Sequence, residues 1–136
     1  MHNPIGGIYQ ARTYADTPQV FVLVHGTDEA DQELAVTLLS PDVELGSSTD
    51  LLLAVEDTGL PYRLLAEADV FTYLPAARMG RRVGQVPSRV LEALAALRND
   101  DPVEVPVAGP PVLTAADPRW QFQLAELDRL THPSGT

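Results

Sequence analysis

Arg78-Met79-Gly80-Arg81-Arg82-Val83-Gly84-Gln85-Val86 runs straight into a helical pattern. From Ser88, the residues Val90, Leu91, Leu94, Ala95 and Leu97 recur at helical spacing as far as Arg98. Pro87 stands at the entry and Asn99 just past the exit, as helix termini favour. Residues 82–86 therefore read as a short strand that hands over to an amphipathic helix packed on a sheet. Upstream, residues 75–79 suit a single helical turn that Gly80 ends.

Working back from that segment, the first half alternates β-rich runs with turn residues, the pattern of an all-β barrel or sandwich. Residues 7–13 and 19–25 read as two strands, joined by the short link Tyr14-Ala15-Asp16-Thr17-Pro18. Gly26-Thr27-Asp28-Glu29-Ala30-Asp31-Gln32 reads as an acidic loop. Residues 34–40 make a third strand, stopped by Pro41, and residues 50–56 a fourth. Residues 62–74 are long enough for a bent strand or two pieces, although Leu64-Leu65-Ala66 alone also suits helix. Working forward, residues 100–111 are rich in Pro and Val and predict an extended connector, because proline lacks a donor and biases its predecessor away from helix. Asp117-Pro118 is a good N-cap and first-turn pair. Trp120, Leu124, Leu127 and Thr131 share one face of the helix that follows.

At 136 residues the chain is long enough for one well-buried core. No apolar run approaches the ~20 residues that span a bilayer. Met1-His2-Asn3-Pro4 has neither the basic nor the apolar region of a signal peptide, so a cytoplasmic protein is expected. With no cysteine there is no disulfide framework and no thiolate metal site. His2, His25 and His132 show no ligand spacing, so neither a metal nor another cofactor is expected. The net charge of −10 repels a polyanion unless arginines converge on one face. All nine basic residues are arginine.

Four places resemble the MazF/PemK-type toxin family. Gly7-Ile8-Tyr9 is similar to its opening strand, and Pro18-Gln19-Val20-Phe21-Val22-Leu23-Val24 to its second. Residues 34–40 resemble the strand that carries a catalytic threonine. The run from Arg78 to Val86 resembles the ending Arg-Leu-Gly-Arg-Arg-Ile-Gly-Arg-Leu and is the most specific of the four. The resemblance implies a mostly β protein, a small SH3-like barrel of MazF/CcdB type, with one packed C-terminal helix. Residues 1–99 would form that barrel domain. Residues 100–136 would add a connector and a tail helix, packed on the barrel or on a dimer mate.

In that family the barrel dimerises and cleaves single-stranded RNA without metal, using an Arg before the second strand and a Thr at the end of the third. Position by position, Thr17 takes the Arg slot and Ser40 the Thr slot. Serine keeps the hydroxyl, but threonine cannot hold a phosphate charge. The family's Gln-x-Arg-Thr signature reads Asp69-Val70-Phe71-Thr72 here, which removes a second Arg. The resemblance with these departures implies a toxin–antitoxin-type barrel with reduced or lost ribonuclease activity that acts through protein binding. The alternative is a metal-independent endoribonuclease in which Ser40 works with a substitute such as Arg12 or Arg81. An oxyanion stabiliser of that kind must reach the developing charge. Convergence of Arg12, Arg78 and Arg81 on Ser40 would favour the enzyme, and dispersal would favour binding.

Arg78, Arg81 and Arg82 form a dense basic patch, read either as RNA or partner contacts or as a solvated turn. A homodimer and an antitoxin-type partner follow from the resemblance, with single-stranded RNA a possible ligand and no membrane. Trp120, Phe122, Leu124 and Leu127 are the candidate tail contacts, either across the ancestral RNA groove or as simple core extension. Glu67 and Asp69, two apart on an extended segment, share a face and read as surface carboxylates.

Overall fold

The computed structural model describes residues 4–12, 20–28, 32–103 and 105–131. Thr17 and the link around it, His2 and His132 lie outside these residues. Six strands form one antiparallel sheet: β1 (Gly7–Ala11), β2 (Val20–Thr27), β3 (Glu33–Ser40), β4 (Asp50–Leu53), β5 (Leu64–Pro75) and β6 (Met79–Gln85), in the order β4-β5-β3-β2-β1-β6. The sheet rolls into a barrel-like form but does not close, since no pairing joins β4 to β6 among the described residues.

The continuous apolar runs of β2 and β3 arise because both faces of these strands are covered. One cluster gathers Ile8, Leu23, Leu39, Leu51 and Leu53 against Val90 and Leu94. These last two belong to α2 (Ser88–Arg98), the helix predicted from the apolar spacing. A second cluster on the opposite face gathers Val20, Val22, Val24, Val36, Leu38 and Leu74. The strand β5 serves both clusters. Its partner residues jump from Ala66 opposite Leu39 to Phe71 opposite Thr37, so extra residues are accommodated there and the strand bends. Before the bend Leu64 and Ala66 enter the first cluster, and after it Val70 and Leu74 enter the second.

Three expectations change. Residues 54–56 leave the fourth strand and begin a one-turn helix, α1 (Val55–Thr58). Asp57 turns the chain there, accepting a hydrogen bond from the Ala54 amide at 3.2 Å, and Gly59 ends the turn with φ +76°. The strand β6 starts at Met79, earlier than expected, immediately after a 3-10 turn over Ala76–Arg78. The connector also carries more structure than its prolines suggest. The Leu52 amide donates to the Pro106 carbonyl at 2.9 Å and the Ala108 amide to the Asp50 carbonyl at 2.9 Å. Proline lacks a donor but keeps its acceptor. The result is a short antiparallel bridge outside β4, with Val105 buried in the first cluster.

Gly84 shows why the quoted run needs glycine. A Cβ there would stand 2.6 Å from the Thr58 carbonyl oxygen, a backbone atom that cannot swing away. Gly84→Ala is expected to cost about 1–3 kcal/mol through overpacking. An unchanged urea midpoint for that variant would reject this account of the glycine.

Candidate functional site

The register places Ser40 within a row. Leu39 pairs with Phe21, Val20 with Ala11, and Ala11 with Met79. Ser40, Val20, Ala11 and Met79 thus stand at one end of four neighbouring strands. The Arg12 amide donates to the Arg78 carbonyl at 3.0 Å, so these two arginines adjoin each other at that same end. With strands ~4.8 Å apart, the backbone of Arg12 is two strands from Ser40, roughly 10 Å, and that of Arg78 three strands, roughly 14 Å. Arg81 is exposed on β6. Arg82 lies over the Tyr9 ring, 5.7 Å from its centre, and donates to the Gln85 Oε1 at 3.3 Å. Arg12 and Arg78 thus adjoin at the end of the sheet that holds Ser40, whereas Arg81 and Arg82 lie further along β6.

Ser40 itself is 3% exposed, and its Oγ accepts the Asp42 amide hydrogen at 3.1 Å. Beside it opens a cavity of about 230 Å³ between the ends of β2 and β3, lined by Val20, Leu38, Ser40, Asp42 and Glu126 among others. Glu126, only 5% exposed, arrives from α3 (Pro118–Thr131), the tail helix. Two carboxylates and no arginine line this cavity among the described residues. Such a lining repels a phosphate instead of stabilising its charge.

The tail is held by polar contacts. Arg119 Nη1 donates to the Gly46 carbonyl at 3.1 Å and to that of Pro110 at 2.7 Å. Its Nη2 bonds Asp117 at 2.6 Å, and the Asp117 Oδ1 also accepts the Arg119 amide hydrogen at 3.0 Å. One turn further, Gln123 Nε2 donates to the Ser47 Oγ at 3.1 Å. Of the four tail residues picked out in the sequence, Leu124 and Leu127 line a small cavity with Val70 and Asp50. Trp120, Leu124 and Leu127 are 41%, 50% and 38% exposed, and Phe122 is half-buried. The side of α3 toward the sheet is marked by Gln123 and Glu126.

Beneath the tail lies a group of acids that the sequence does not announce. Asp50 pairs with Glu67 across β4 and β5, and both are buried, at 2% and 0% exposure. The expectation that Glu67 lies on the surface is therefore overturned, while Asp69 is exposed. Glu67 alternates with Leu65 on a strand covered on both sides, so its position points inward whatever its polarity. Asp50 accepts the Ser47 amide hydrogen at 2.9 Å. Burial nevertheless pushes its carboxyl up to about 6, against the opposing pull of Ser47.

On the α2 face, Arg98 donates to the Ala68 carbonyl at 2.8 Å and to the Thr37 hydroxyl, with its guanidinium 4.3 Å from the Phe71 ring centre. His25 meets Phe71 edge-on, at 6.5 Å between ring centres. Burial, and then the Arg98 charge, push its imidazole down to about 4. His25 is therefore neutral at pH 7. No group of three or more His, Cys, Asp or Glu placed to hold a metal occurs among the described residues. No helix of the structure is long and apolar enough to cross a membrane.

Sequence comparison returns nothing: no family model matches the chain, and neither does any curated protein. The fold is another matter. The Mycobacterium tuberculosis toxin MazF-mt6 superposes with a TM-score of 0.57 at 18% identity, over 69% of this chain and 93% of its own. The fold is that of the MazF toxins. A mycobacterial endoribonuclease solved with its cognate antitoxin agrees, with a TM-score of 0.54 at 15% identity, over 75% of this chain and 98% of its own. So does an Mtb toxin, at 0.53 and 20% identity, over 69% of this chain and 97% of its own. Each MazF-fold relative is covered almost whole, whereas a quarter or more of this chain lies outside the match.

Proposed function

We propose that this is a MazF-fold protein of toxin–antitoxin type that acts through protein binding, with the ribonuclease activity of such barrels reduced or lost. The observation that carries the reading is the Ser40 cavity, which is lined by Glu126 and a second carboxylate and has no arginine among the described residues. Metal-free cleavage of RNA needs a donor or cation where the pentavalent phosphate gathers charge. Here the hydroxyl accepts the Asp42 amide hydrogen, and no arginine lines the cavity among the described residues. The net charge of −10 supports the same conclusion at long range. An antitoxin-type partner, assembly as a homodimer and a cytoplasmic setting belong to this reading.

The test is cleavage of a long single-stranded RNA in EDTA by the full chain and by Arg119→Ala/Gln123→Ala, which loosens the tail. Neither protein is expected to cut. Cleavage by the parent chain would overturn the proposal. Cleavage by the loosened variant alone would establish the alternative, an endoribonuclease held shut by its own tail, with Ser40→Ala as the confirming substitution.

A further inference from the structure

α3 carries an apolar stripe beside the side that meets the sheet. Gln123 and Glu126 face the sheet, while Trp120, Leu124 and Leu127, at i, i+4 and i+7, stay between 38% and 50% exposed. Three half-exposed apolar side chains in one stripe leave apolar area in water unless another surface covers it.

At the foot of the stripe is a cavity of about 160 Å³. Val70, Leu124 and Leu127 supply its apolar wall, and Thr49, Asp50 and Asp69 its polar end. A cavity walled by apolar side chains with two carboxylates in its lining matches one type of side chain, a long aliphatic stem tipped with a cation. Arg119, whose charge also reaches Asp50, is committed to Asp117 and to three backbone carbonyls. The chain's charge of −10 draws a basic partner and resists a polyanion.

We propose that the α3 stripe and this cavity form a docking surface for a helix of a partner protein, which seats an Arg or Lys side chain between Val70, Leu124 and Leu127 and covers Trp120 with its apolar flanks. The mode is helix against groove, with the cation fixing the register. The proposal names the partner chemistry for the protein-binding reading above and rests on that reading.

Trp120 is the chain's one tryptophan, so its emission reports directly on the stripe. The probe is a tryptophan-free amphipathic helical peptide with leucines on one face and one central arginine. Its control carries citrulline, the neutral isostere, in place of that arginine. Titrated into the full chain, the arginine peptide should shift Trp120 emission to the blue and bind at least about tenfold more tightly than the citrulline peptide. Asp69→Asn should shrink that ratio. Leu124→Glu, a change at a half-exposed position, should abolish binding with the circular dichroism spectrum retained. Equal affinity for the two peptides, or no shift with either, would overturn the proposal. So would a parent dimer in sedimentation that Leu124→Glu splits, which would make a second copy the occupant. So would a Trp120 shift on single-stranded RNA but not on peptide. Peptide failure without RNA cleavage strikes this surface alone, whereas RNA cleavage by the parent chain strikes the reading beneath it.

Discussion

Asp50→Asn should gain about 2 kcal/mol over the parent chain as the pH rises from 4 to 7, measured by urea unfolding at the two values. The carboxyl is held at about 6 in the folded protein, mainly by burial, against 3.8 as its ordinary value. Between those values the native chain keeps a proton that the unfolded chain has released, so native stability falls as pH rises through the window. Above about 6 both states are ionised and the full cost is present. Asparagine keeps an acceptor for the Ser47 amide and has no proton to lose, so the slope disappears. His25 acts in the opposite direction. Its folded value of about 4 lies below 6.5, so the unfolded chain alone takes up a proton on acidification, and stability falls as pH falls. The two slopes oppose each other in the parent chain and flatten its profile. The Asp50→Asn variant should therefore show the acid sensitivity of His25 uncovered. Parallel profiles for variant and parent would sink the argument.

Leu94→Ala should cost about 2–5 kcal/mol, the range for truncating a buried leucine in a core that cannot collapse around the gap. Leu94 is 1% exposed and joins α2 to Ile8, Leu23, Leu39 and Leu53, which come from four different strands. Those strands are fixed to one another by the hydrogen-bond ladder, so they cannot close over the space the side chain leaves. Against a typical domain stability of about 5–15 kcal/mol this is a large fraction. Urea unfolding measures it directly, and a loss under about 1 kcal/mol would mean that α2 is not seated as described.

The elements most legible in the sequence were those with a continuous apolar run or a single helical period. β2, β3, β5 and α2 fall where their patterns place them, because a two-faced strand or a striped helix leaves a strong local mark. The turn at α1 was not legible, since Val55 continues the apolar alternation of β4 and the decisive contact is the Asp57 carboxylate folding back on Ala54. Glu67 and Asp50 were hidden for a different reason. Residue type suggests exposure, whereas strand register and a helix from the far end of the chain enforce burial. The stripe of α3 was visible as a stripe, but periodicity says only which residues share a side. It is Arg119 and Gln123 that settle which side meets the sheet, through contacts to residues more than seventy positions earlier. That Arg12 and Arg78 adjoin at the Ser40 end of the sheet likewise depends on strand order, which no local pattern carries.

The bridge that residues 105–108 lay along β4 has a further consequence. An open sheet has two rims, and each is a template on which a foreign strand can grow. Here the chain's own connector occupies the β4 rim, with prolines at 102 and 106 that offer no amide hydrogen to continue the ladder outward. The other rim is β6, which carries Arg81 and Arg82 with their charges turned to solvent. Polymerisation through strand addition is thus blocked by backbone chemistry at one end and discouraged by charge at the other. Cutting the chain before residue 105 would expose the β4 rim as well as removing the tail, so a truncated protein would be a poorer, stickier object than a barrel without its helix.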